Sequence, residues 1–94
     1  MIRTFKNAAL KRYWNTGRAK GLPAQDIKKI ERILTSLSAA TAPEDMALPQ
    51  YRFHPLKGDR RGAYSVTVRA NWRITFEWEE GAAVRVDLED YHGD

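Results

Sequence analysis

Cysteine is absent from the chain, so neither a disulfide framework nor a thiolate metal site can contribute to it. Histidine is nearly as scarce. A histidine-based metal site would need both histidines and a carboxylate, and no metal-ligand spacing occurs. Neither the phosphate-cradling Walker pattern nor the paired glycines of dinucleotide sites appears. No metal and no cofactor is therefore expected. No stretch approaches the ~20 apolar residues of a membrane span. The segment MIRTFKN also lacks the apolar centre of a secretory signal. A cytoplasmic protein without a membrane partner is the expectation.

What is present fits one folded unit spanning residues 1–94. The composition, 43% hydrophobic and 11% aromatic, is enough for one modest core and unlike that of disordered chains. The net charge of +4 is unevenly spread. Residues 1–36 hold nine Lys and Arg against two acids, residues 51–76 hold six against Asp59, and residues 77–94 hold seven acids against Arg85. Two basic blocks in a small domain point to a polyanionic partner such as RNA, DNA or an acidic protein. Solvated helix faces would look the same for the first block.

Periodicity organises the chain into two halves. MIRTF reads as a short first strand. NAALKRYWNTG reads as a helix with Ala9, Leu10, Tyr13 and Trp14 on one broad face and Gly17 as its stop. Pro23 is placed to be the first residue of a second helix, where Ile27, Ile30, Leu34 and Leu37 recur at three- and four-residue spacing. Residues 40–50 read as a connection with room for a helical turn. From Tyr51 the period becomes two. Tyr64, Val66 and Val68, then Trp72, Ile74, Phe76 and Trp78, then Val84, Val86 and Leu88 each alternate with polar residues. Short connections between these runs predict an antiparallel meander. The expected fold is α+β: a small, antiparallel-rich sheet with two N-terminal helices packed on one face and the other face open.

That open face carries the chemistry. By alternation it should hold Arg52, His54, Arg69, Arg73 and Tyr91, with Thr67 and Thr75 among them. Guanidinium forks match phosphate oxygens, so this inventory suits an anionic ligand. The loop His54-Pro55-Leu56-Lys57-Gly58-Asp59-Arg60-Arg61-Gly62 adds cations around two permissive glycines. Both histidines, His54 and His92, can exchange protons near neutral pH. Together with Tyr91, Lys57 and the arginines they form an inventory for cleaving RNA without a metal. A base takes the ribose 2′-hydroxyl proton, the oxygen attacks the adjacent phosphate, an acid protonates the leaving 5′-oxygen, and cations stabilise the charged transition state.

The combination HPLKGDR, VRANWRITFEW and the terminal EDYH resembles the RelE/HigB toxins of bacterial toxin–antitoxin systems, and the HigB branch most. The resemblance covers nearly the whole chain and implies a RelE-like toxin fold. It implies a ribosome-dependent endoribonuclease that cuts mRNA in the decoding site of the small subunit and stops translation. A cognate helix-turn-helix antitoxin is implied as partner, with operator DNA reached only through the antitoxin complex. By position, His54, Lys57, Arg73, Tyr91 and His92 match catalytic residues, and Asn71 and Asp90 match substrate-contacting ones. Arg60 and Arg69 are added as further substrate-binding cations. Two readings compete: a non-catalytic RNA- or ribosome-binding module, and a toxin of the same superfamily acting on another target such as gyrase. Intact activity after substitution of His54, Tyr91 and His92 would favour the module.

Overall fold

The computed structural model describes residues 1–91. Helix α1 (Ala8–Thr16) starts at Asn7, whose side-chain oxygen accepts the Leu10 N–H at 2.9 Å, and ends at Gly17. Gly17 has φ 78°, a left-handed cap that glycine adopts without a Cβ clash. Helix α2 (Ile27–Ala39) buries Ile30, Ile33, Leu34 and Leu37, the stripe that their spacing demands. Pro23 is not its first residue. Pro23 is extended and leads into a 3₁₀ turn, Ala24–Asp26, after which α2 begins at Ile27. Asp26 precedes α2 without capping it, because its carboxylate is bonded to Arg69 instead. Two further 3₁₀ turns, Pro43–Met46 and Pro49–Tyr51, occupy the connection and bury Met46 and Tyr51.

Four strands follow: β1 (His54–Pro55), β2 (Ala63–Arg69), β3 (Trp72–Glu79) and β4 (Ala82–Asp90). They form one sheet in the order β1-β2-β3-β4, and every neighbour is antiparallel. At the β3–β4 turn Glu80 and Gly81 both have positive φ, which matches the twist of the flanking strands. The strand expected from Tyr51 shrinks to two residues. Tyr51 closes a 3₁₀ turn, Arg52 is left-handed at φ 47°, and Pro55 has no N–H to extend the ladder. The segment MIRTF is likewise not a continuous strand. Ile2 and Phe5 make isolated parallel bridges to Ala83 and Val86. Between them β4 bulges at Arg85 (φ 52°), whose N–H donates to the Thr4 hydroxyl at 2.8 Å. The sheet edge is covered all the same.

One face of the sheet packs under the helices. Val66, Ile74, Phe76 and Val86 join Leu10, Ile30, Ile33 and Leu34 in a single core. Phe53, Tyr64 and Phe76 stack successively at 5.5 Å between centroids. The other face carries Ser65, Thr67, Arg73, Thr75, Asp87 and Glu89. The architecture is the expected α+β layer pair, although Ser65 and Thr75 of the polar face are themselves buried.

Candidate active site on the open sheet face

Register sets the geometry of this face. One cross-strand row runs His54, Ser65, Thr75, Asp87, and the next runs Thr67, Arg73, Glu89. Side chains two residues apart on a strand share a face, so both rows project together. Tyr91 lies two residues past Glu89, and its N–H donates to the Asn71 carbonyl at 2.8 Å. That bond ties the end of β4 to the turn between β2 and β3. The Arg73 guanidinium sits 5.6 Å from the Tyr91 ring centroid, a cation–π contact. Tyr91 also lines, with His54, Pro55, Leu56 and Lys57, a concavity of about 160 Å³. Enclosed small-molecule clefts measure roughly 300–1,000 Å³, so this one suits a single backbone unit of a longer polymer.

His54, Lys57, Tyr91 and Arg73 are thus brought together from three separate parts of the chain. His92 lies outside the described residues. None of the remaining predicted site residues lines the concavity. Arg69 was expected on the open face because it continues the polar alternation of β2. A bulge between Thr67 and Arg69 sets Arg69 opposite Trp72 rather than in the row of Arg73. One extra residue reverses the face. Arg69 then binds Asp26 through Nε at 2.8 Å and Nη2 at 3.2 Å, on the helix side. Arg52 is in no strand at all. Asp90 pairs with Trp72, on the alternate parity from Tyr91. Asn71 is exposed in the turn, where its backbone anchors Tyr91.

Arg60, in the 3₁₀ turn Gly58–Arg60, forks onto Glu89 with Nη1 to Oε1 at 2.8 Å and Nη2 to Oε2 at 2.6 Å. The Thr75 hydroxyl donates to the same carboxylate. Hydrogen bonds from Arg60 hold the Glu89 carboxyl below its usual range, and those same bonds raise Arg60. Part of the N-terminal basic block is also used within the fold. Arg3 donates to the carbonyls of Glu79 and Glu80, Arg12 donates to that of Lys20, and Lys29 lies over the Tyr51 ring.

Sequence reasoning missed two features. Ser65 Oγ, Thr67 Oγ1 and Arg73 Nε are buried without a hydrogen-bond partner among the described residues, and all three belong to this face. An unmade buried hydrogen bond costs about 1–3 kcal/mol. Arg73 of this cluster is also the residue that meets the Tyr91 ring. The signal in the sequence was the run of hydroxyl residues at the same parity as Arg73. Glu89 was the second omission, and nothing local distinguishes it from any other solvent-facing acid.

Residues 3–92 match the family of HigB-like toxins, the RelE-like toxins of the type II toxin–antitoxin system HigB. The chain belongs to this family. Among HigB proteins it is 46% identical over 92 residues to the endoribonuclease HigB of Proteus vulgaris, covering 98% of this chain and all of that one. It is 29% identical over 93 residues to the toxin HigB-1 of Vibrio cholerae serotype O1, covering 97% and 98%. Its fold is similar to that of a mutant of YafQ from E. coli, with a TM-score of 0.57 and 19% identity over 92% of this chain and 91% of that one. The RelE-like fold expected from the sequence is thereby confirmed for this HigB-family chain.

Proposed function

We propose that this protein is an endoribonuclease toxin that cleaves mRNA on the ribosome and thereby halts translation. The near-full-length similarity to an endoribonuclease HigB supports RNA cleavage. The convergence of His54, Lys57 and Tyr91 on one concavity, with Arg73 against the tyrosine ring, carries the mechanistic reading. A phosphate seated there meets a lysine and a guanidinium, which stabilise the charge that grows on its oxygens. One of His54 and His92 removes the 2′-hydroxyl proton. The 2′-oxygen then bonds to phosphorus as the bond to the 5′-oxygen breaks, and the other histidine protonates that oxygen. Products are a 2′,3′-cyclic phosphate and a free 5′-hydroxyl. Acid–base steps contribute roughly 10²–10⁴-fold, so positioning by Tyr91 and the ribosome supplies much of the rest.

The family's place in toxin–antitoxin systems supports a protein antitoxin as partner. A helix-turn-helix antitoxin would carry the operator contacts of the complex.

Programmed ribosomes and mRNA, incubated with purified protein and mapped for 5′ ends, test this function. Cuts in the decoding site that need the ribosome and vanish in His54→Ala and His92→Ala are expected. A folded protein that binds ribosomes and leaves mRNA intact would instead be a non-catalytic binding module.

A further inference from the structure

The turn Gly58–Arg60 and the end of β4 are far apart in the chain, yet each lies one or two residues from a residue that lines the concavity, Lys57 or Tyr91. Lys57, on its lining, immediately precedes the turn, and the Lys57 carbonyl accepts the Arg60 N–H at 3.2 Å. Tyr91, also on its lining, comes two residues after Glu89. The forked bond of Arg60 to Glu89 links these two segments through their side chains. Glu89 is held in turn by the hydroxyl of Thr75, which is buried in the middle of β3. Both oxygens of the carboxylate are engaged, and the fork restricts rotation as a single bond would not.

We infer that Arg60 and Glu89 form a clamp that sets the position of the Lys57 loop relative to Tyr91, so that both are positioning residues and Arg60 is not a phosphate ligand. This inference rests on the endoribonuclease reading for its kinetic consequences. The guanidinium that the sequence offers to substrate has its fork occupied by a carboxylate. Glu89 also stands directly across from Arg73 in the ladder, and Arg60 with Thr75 takes up a negative charge that would otherwise face it. Opening the clamp would therefore loosen Lys57 and leave an acid beside the cation proposed to stabilise the phosphate.

The test uses the full chain with Arg60→Ala, Glu89→Ala and the double variant. Arg60 is exposed, so Arg60→Ala is expected to fold. Backbone amide exchange at residues 57–61, which needs no substrate, should quicken by about tenfold or more in each variant. In the ribosomal mRNA assay each single variant should lower kcat about 10–100-fold with KM nearly unchanged, as a misplacement near 1 Å does. The double variant should be no worse than the more impaired single, since the two residues act as one unit. Unchanged exchange in the loop overturns the clamp. So does an Arg60→Ala effect confined to KM with a reduced salt dependence, which would make Arg60 a phosphate contact. If the wild-type protein cuts nothing, the endoribonuclease reading falls, while the exchange data still decide the clamp.

Discussion

The guanidinium of Arg73 lies over the ring of Tyr91, 5.6 Å from its centroid, and Tyr91 also lines the concavity with His54 and Lys57. Tyr91 therefore touches both Arg73 and the concavity lined by His54 and Lys57. A cation–π contact of this kind contributes about 0.5–2 kcal/mol, enough to hold one arginine rotamer over others.

Replacing that ring separates platform from hydroxyl. Tyr91→Ala removes the platform and should lower kcat for mRNA cleavage on the order of 10²-fold. Tyr91→Phe keeps it and should lose less than about tenfold. Single-turnover cleavage on programmed ribosomes reads both. A phenylalanine variant as inactive as the alanine one would assign the chemistry to the hydroxyl.

Arg69 should matter to stability and not to catalysis. Arg69→Ala strips the cation from the Asp26 carboxylate, which is only 4% exposed. The melting temperature should fall by about 4–8 °C, with cleavage per folded molecule unchanged. A variant that melts normally but cuts poorly would return Arg69 to the substrate.

Ser65 should behave in the opposite way to most buried polar residues. Its hydroxyl has no partner among the described residues, so Ser65→Ala relieves a desolvated group. Denaturant unfolding should show a change between neutral and about 1 kcal/mol stabilising. A loss of more than that would reveal a bound water or another acceptor in the free protein.

Acid sensitivity follows from Glu89. Arg60's hydrogen bonds, aided by that of Thr75, hold its carboxyl below the usual 4.5. The unfolded chain then binds a proton that the folded one does not. The stability it contributes is present above 4.5 and is lost as the pH falls through the lower folded value. Melting curves from neutral pH down to the acid range should show a shallower decline for Glu89→Gln than for the wild type. Parallel declines would mean that the pair is too solvated to count.

By itself the sequence determined the layers and most of their contents. The spacing of Ile30, Leu34 and Leu37 admits only a one-sided helix, and the alternation through Trp72, Ile74 and Phe76 only a one-sided strand. Arg73 and Tyr91 fell on the open face because β3 keeps period two through Arg73 and β4 keeps it from Asp87, past its bulge at Arg85, to its end. Tertiary structure decided everything that turns on a single residue of register or on partners distant in the chain. The bulge before Arg69 turned a predicted substrate residue towards Asp26, and the left-handed Arg85 broke the edge pairing of MIRTF. A strand's pattern records which residues alternate, not where the backbone inserts one extra. Likewise the bond between Arg60 and Glu89 spans 29 residues, and only the packed sheet brings the two side chains within reach.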